Sequence, residues 1–478
     1  MQEITYRSKG FYDELADHGD HHVHLILIAT KPDIIKQVPL YHELKKRKQL
    51  VILGHTGQHY DENLSGGMLR EFGVEPDFNL NVRGEMYEVV SQIIGRLGFV
   101  IAELKKRGKI VIPYVHGDTT TAMAAANAGY CHGFASVHVE AGLRTLTPSF
   151  DSWPLTMNNW PRQKPIVKSQ LPAAAHFDFE AWRRFLMDRN NWQRGSLEPY
   201  PEQFNTRCSE AGSGVHLAPV ELNREFMLGE GFPEDRIFVT GNSVADATHE
   251  VLKAAVRGPE MPSGLEREKA GGAGRSKIFE RYPVLADGDF VRFCIHRREN
   301  CVSKLRFLAI YEAMKMLLEK GRKVLLISMI QTEKAFERFG LRDEVMSLAK
   351  KHPNFVLSPV WPEYRDVIAA MSRAAVCATD SGSMQEEMNI LGVPCVTLRF
   401  GSDRSESIIG GGNVLAPPVA ADAIANIIEG AWNHREMRTV KNIYGEHVSK
   451  KSIDAILGIL GKGQEVFRTE EGRLGLGT

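Results

Sequence analysis

Short apolar runs alternate with amphipathic stretches along most of the chain. Apolar runs at 22–29, 49–53, 110–115, 135–139, 215–218 and 237–240 predict strands. Helical spacing of apolar residues predicts helices near 62–73, 86–106, 201–212 and 220–230, and another from 241 onward. Pro32 suits a first helical turn, and Ile34, Ile35, Val38, Tyr41 and Leu44 follow as a buried stripe. Pro39 falls inside that stripe and predicts a kink or a restart. The alternation resumes at 290–295 and continues through strands at 324–329, 355–360, 376–378 and 395–398. Strands alternating with helices in both halves imply an α/β protein of two doubly wound domains facing a cleft.

The expected divisions follow from composition. Residues 1–21 read as a partly ordered N-terminal extension, and 22–256 as a first domain. Residues 257–285, rich in Gly, Lys and Glu, read as a linker. A second domain at 286–435 and a helical ending at 436–478 complete the chain.

The chain has 478 residues with 59 Lys+Arg and 59 Asp+Glu, so no global field recruits nucleic acid or anionic membrane. No apolar run is long enough to span a bilayer, and the six cysteines lack metal-like spacing. A cytoplasmic protein with no metal, cofactor, nucleic-acid or membrane partner is expected.

Candidate chemistry gathers where strands end. The run at 110–115 ends in His116-Gly117-Asp118, and that at 135–139 ends at Glu140. Carboxyl ends of parallel strands form the crevice where ligands bind. Two acids there suit acid–base chemistry, although Asp118 also reads as a helix cap and Glu140 as a solvated loop residue. In the second half His296-Arg297-Arg298-Glu299-Asn300 follows a strand, offering cations to phosphate. Thr379-Asp380-Ser381-Gly382-Ser383 leads into a helix whose N-terminus suits an anion, and Glu387 suits ribose hydroxyls.

Taken together, TKPDIIK, TGQHYDENLS, HGDTTT, VEAGLRT, PEQFN, HLAPVELNREFMLGEGFPEDRIFVTGNSVADA, HRREN and TDSGSMQEE resemble the motifs of the non-hydrolysing UDP-N-acetylglucosamine 2-epimerases, in family order. The resemblance implies the GT-B fold, with a C-terminal helix crossing back onto the first domain, and a homodimer. It implies that UDP leaves C1 while C2 loses its proton, and that the resulting 2-acetamidoglucal takes UDP back with C2 inverted. Asp118, Glu140 and Glu202 match the family's catalytic acids, and His296 its motif histidine. Lys31, Lys36, Arg297, Ser381, Gly382, Ser383, Glu387 and Arg404 match UDP-sugar contacts, and Gln58 and His59 match an effector site of some members. A hydrolysing 2-epimerase, a non-catalytic sugar-nucleotide-binding paralogue and a GT-B glycosyltransferase remain alternatives.

The chain departs from the family at four places. An insertion at 146–199 carries four of the six tryptophans, and predicts a folded cap or dimer contact rather than a loose loop. Arg207 is displaced by one residue, which rotates a helical side chain by about 100°. Met329-Ile330-Gln331 replaces a segment that usually carries histidine, and Ser402-Asp403-Arg404-Ser405-Glu406 replaces Thr-Glu-Arg-Pro-Glu.

Overall fold

The computed structural model describes residues 4–57, 66–149, 177–257 and 276–467. An eight-stranded sheet carries, in spatial order, Thr5–Tyr6, Phe78–Asn79, Val51–His55, His22–Ile28, Ile110–His116, Ser136–Val139, Ser213–Ala218 and Ile237–Val239. Its pairings are parallel except for the antiparallel edge strand Thr5–Tyr6. A six-stranded, all-parallel sheet runs Phe355–Pro359, Lys323–Ser328, Phe290–Cys294, Val376–Thr379, Cys395–Thr397 and Asn413–Leu415. Helices cover both sheets, so central residues such as Val23, Ile26, Phe293 and Leu325 are fully buried. This explains apolar runs without period-two alternation.

Two findings differ from expectation, and a third refines it. The N-terminal extension is built into the sheet: Thr5–Tyr6 pairs with Phe78–Asn79, and Phe11 and Leu15 are buried. Its anchor is aromatic, with Phe11 5.1 Å from Tyr6 and 6.0 Å from Phe78 between ring centroids. The helix Lys31–Lys46 runs through Pro39 without restarting. Pro39 forfeits one backbone hydrogen bond, whereas burial of Ile34, Ile35, Val38, Leu40 and Leu44 favours one continuous helix.

The third concerns the insertion. Its helix Phe179–Met187 docks on the core of the second sheet, where Trp182 is 1% exposed and donates its indole N–H to the Leu415 carbonyl at 2.8 Å. Glu198 pairs with Arg306 at 3.0 Å, also in the second half. The same segment holds the first half, because Arg194 stacks 4.5 Å over Phe226. Leu146–Pro148 pairs with Trp192–Arg194, and Leu146 exchanges backbone hydrogen bonds with Ser402. The described part is therefore folded rather than loose, as expected, and it straps the two halves together. Trp153 and Trp160 lie outside the described residues.

The helix Val448–Leu460 returns to the first sheet's side. Asp246 accepts from the amides of Val448 and Ser449, and Asp454 pairs with Arg47 at 2.7 Å.

Candidate active site

Asp118 and Glu140 come from adjacent strand ends. The strands Ile110–His116 and Ser136–Val139 pair with His116 opposite Val139, so Glu140 emerges beside the His116-Gly117-Asp118 turn. Glu140 has φ +64°, a left-handed conformation that costs a non-glycine residue energy and is found where surroundings over-determine it. The surroundings are specific. Gly142, at φ +86°, leaves only 2.5 Å between a would-be Cβ and the Asn223 carbonyl. Its amide donates to Glu210 at 2.6 Å, and buried Arg144 pairs with Glu210 and with Glu230.

The expectation of a solvated Glu140 fails: it is 2% exposed. Its Oε2 accepts from Lys36 at 2.5 Å and from His116 at 2.8 Å, and its Oε1 from Arg404 at 2.5 Å. Burial works against ionisation, but Lys36, Arg404 and His116 together hold this carboxyl well below its usual range. Asp118 is not the helix cap either. Thr119 caps Thr120–Cys131 by accepting from the Ala122 amide, which frees Asp118 for the cleft. Its buried Oδ2 accepts no hydrogen bond among the described residues and lies 3.8 Å from Arg404.

Glu202 opens the helix Glu202–Ala211 and pairs with Arg297 from the second half. Burial raises its carboxyl, opposed by Arg297 and reinforced by the Asp118 charge. Its Oε2 is buried with no hydrogen-bond partner among the described residues. Three residues on, Asn205 donates to the Asp118 carbonyl at 3.1 Å. The displaced Arg207 faces elsewhere: its side chain is 52% exposed, 3.9 Å from Glu230, beside an outer hollow of about 1140 Å³ shared with Tyr87, Met123 and Phe204.

The second half supplies cations and a helix start. Burial favours neutral His296, but Asp380 at 3.1 Å outweighs it and holds the imidazolium up to about 10. Asp380 also accepts from the amides of His296 and Arg297 and from Asn300, and so shapes the HRREN loop. Ser381 caps Gly382–Leu391 by accepting from the Met384 amide, and Ser383 is half-buried in its first turn. A Cβ on Gly382 would sit 3.4 Å from the Arg404 guanidinium carbon.

Two further predicted contacts, like Lys36, Arg297 and Arg404, are engaged within the protein. Glu387 accepts from the Tyr364 hydroxyl at 2.8 Å, and Lys31 donates to the Trp361 carbonyl at 2.7 Å. Burial lowers Lys31 to about 8, against the Glu71 charge. Gln58 and His59 lie outside the described residues.

Residues not singled out as site candidates complete the cluster. Glu386 is fully buried between Lys36 (2.7 Å) and Arg404, and burial followed by the Glu140 charge pushes it up to about 8. Asp403 pairs with Arg404 at 3.2 Å and Arg399 at 2.6 Å. Asp33 and His116 support Glu140 from behind. Asp33 was legible only as a helix-start acid, and Glu386 only as a first-turn acid beside Glu387. No group of three or more His, Cys, Asp or Glu able to hold a metal occurs among the described residues.

Two facing Rossmann-like sheets, acids on one lip and cations with a helix N-terminus on the other, define a protein of the GT-B class. The family model for UDP-N-acetylglucosamine 2-epimerase matches residues 42–154 and 195–458, and the chain belongs to this family. The gap in that match falls within the insertion. The UDP-N-acetylglucosamine 2-epimerase of Methanocaldococcus jannaschii is 28% identical over 90% of this chain and 98% of its own. That of Bacillus subtilis is 25% identical over 91% of this chain and 94% of its own. The crystal structure of the M. jannaschii enzyme in complex with UDP-GlcNAc and UDP is similar with TM-score 0.69 and 26% identity, covering 91% of this chain and 99% of that one. No helix among the described residues is long and apolar enough to cross a membrane.

Proposed function

We propose that this chain is a non-hydrolysing epimerase that interconverts UDP-GlcNAc and UDP-ManNAc. The observation that carries the reading is the convergence of Asp118, Glu140 and Glu202, from three elements of the first half, on Arg404 and Arg297 of the second. C1–O cleavage with loss of UDP builds positive charge at C1, which carboxylates stabilise. Loss of the C2 proton then gives the 2-acetamidoglucal. Its return to the opposite face, followed by re-addition of UDP, inverts C2.

Inversion requires an acceptor on one face and a donor on the other. Glu140, held ionised, suits the acceptor; Glu202, whose burial favours the neutral acid, suits the donor. His296, Arg404, Lys36 and the start of Gly382–Leu391 are the proposed diphosphate grip. A homodimer located in the cytoplasm belongs to the same proposal, with light scattering as the check on assembly. Proton NMR of UDP-GlcNAc in D₂O tests the reaction. Epimerisation exchanges the C2 proton and keeps UDP attached at equilibrium, hydrolysis accumulates free sugar, and a binding paralogue does neither.

A further inference from the structure

We propose that His116 is a positioning residue for Glu140: it carries the fixed geometry of Asp33 to the catalytic carboxylate and directs proton exchange to Glu140 Oε1. The inference rests on the epimerase reading above.

The chain of contacts is continuous and buried. His116 donates Nδ1–H to Asp33 Oδ1 at 3.0 Å and Nε2–H to Glu140 Oε2 at 2.8 Å. Asp33 is itself fixed, because its Oδ2 accepts from the Ala29 amide at 3.2 Å and from the Thr30 amide and hydroxyl at 3.0 Å each. Those bonds are the N-terminal cap of Lys31–Lys46, so the orientation of Asp33 is set by the strand-to-helix turn itself. Asp33, His116 and Glu140 are 1%, 3% and 2% exposed, respectively.

Glu140 has three cationic partners, and they differ in stiffness. Lys36 and Arg404 end long side chains with several rotatable bonds, and Arg404 is shared with Glu386 and Asp403. His116 has two side-chain torsions and is held at both ring nitrogens. It also stands on the strand next to Glu140, in register through His116 and Val139. It is therefore the partner whose position is set by the fold rather than by side-chain rotamers.

Lone-pair counting then separates the two oxygens. A carboxylate offers about two acceptor sites per oxygen. On Oε2 both are taken, by His116 and Lys36. On Oε1 only Arg404 donates, which leaves one site for a substrate proton. The imidazolium form needed for two donations is favoured by its surroundings: burial opposes it, but Asp33 and Glu140 hold it up to about 9. The other titratable and charged groups around this pair are Lys36, Arg404, Glu386, Asp118 and His138, with burial favouring the neutral forms of Glu386 and His138.

Steady-state exchange of the C2 proton in D₂O, compared between wild type, His116→Gln and Asp33→Asn, tests the inference. The expected result is a fall in kcat of roughly 10- to 100-fold for His116→Gln, the size typical of losing an orienting partner, with KM little changed. The acid limb of the rate profile should move to higher pH, because Glu140 loses a donor to its ionised form. Asp33→Asn should shift it in the same direction. Folded variants with wild-type kcat and an unmoved acid limb would overturn the inference, as would a rise confined to KM. A second readout is independent of turnover: ¹³C NMR of glutamate-labelled protein, with Glu140→Gln assigning the resonance, should show Glu140 titrating higher in His116→Gln. An unmoved titration overturns the linkage. Absence of C2 exchange in wild type would instead remove the epimerase reading, while the NMR titration still decides the role of His116.

Discussion

Arg404 Nη2 lies 2.5 Å from Glu140 Oε1, joining residues 264 positions apart and from opposite halves of the molecule. The same guanidinium holds Glu386 and Asp403, so one side chain organises buried acids from both lips of the cleft. Replacing it by Gln should therefore cost more than a surface ion pair. Removing one partner of a buried charge network typically costs about 3–5 kcal/mol, because the remaining charges stay buried. Urea unfolding of Arg404→Gln should show a loss of that order. A change below about 1 kcal/mol, the range of exposed pairs, would mean that water reaches these acids.

Asp118→Asn and Glu202→Gln should each slow C2-proton exchange by about 10²- to 10⁴-fold, the usual cost of losing a proton-transfer group. UDP affinity, read by calorimetry, should survive, since both acids stand on the lip opposite Ser381 and Gly382. Near wild-type exchange in either variant removes that acid from the mechanism.

Gly382→Val should weaken UDP binding with the fold intact. The added branch occupies the approach to the helix N-terminus, 3.4 Å from Arg404 at the Cβ alone. Gly54→Val is expected to behave differently: its Cβ would meet Phe78 at 2.3 Å and strain the first sheet. Calorimetry together with thermal melts separates the two, and normal UDP binding by Gly382→Val would exclude this helix start as the phosphate site.

Trp182→Ala should destabilise the protein by about 3–5 kcal/mol, as expected for an aromatic removed from a filled core. The indole is buried among second-sheet residues and satisfied by Leu415. Trypsin should then cleave faster at Arg183, Arg184, Arg189 and Arg194. Equal cleavage rates in wild type and variant would show that Trp182 does not anchor the strap.

Stability should fall as pH rises from neutrality towards 10. His116 and His296 are held up to about 9 and about 10, against about 6.5 in an unfolded chain. Between those values the folded protein binds more protons than the unfolded one. The contribution is thus complete below about 6.5 and is lost as pH climbs through the folded values. Glu386, raised to about 8, acts in the same direction, since folding favours its protonated form. Midpoints of thermal unfolding measured from pH 6 to 10 check the sign, and His116→Gln should flatten the slope.

Much of the fold was legible before any coordinates. Strand and helix order followed from apolar periodicity, because buried parallel strands and amphipathic helices must carry those patterns. The helix Met86–Lys106 was legible to the residue. Pro39 misled because local propensity is weaker than the burial of a whole helical face. Thr119 rather than Asp118 caps its helix, a choice between neighbours that spacing alone does not make.

From sequence alone came the α/β architecture, the family resemblance, and the acids and cations at strand and helix ends. Those properties are local, written in residue type and spacing. Tertiary structure alone decided which charges meet: Lys36 with Glu140 and Glu386, Arg404 with both, Glu202 with Arg297, and Asp33 with Glu140 through His116. It also decided that the inserted helix braces the second sheet through Trp182. The reason is physical. Pairing of buried charges depends on distances and burial set by packing between elements far apart in the chain, and neither is encoded in any single stretch.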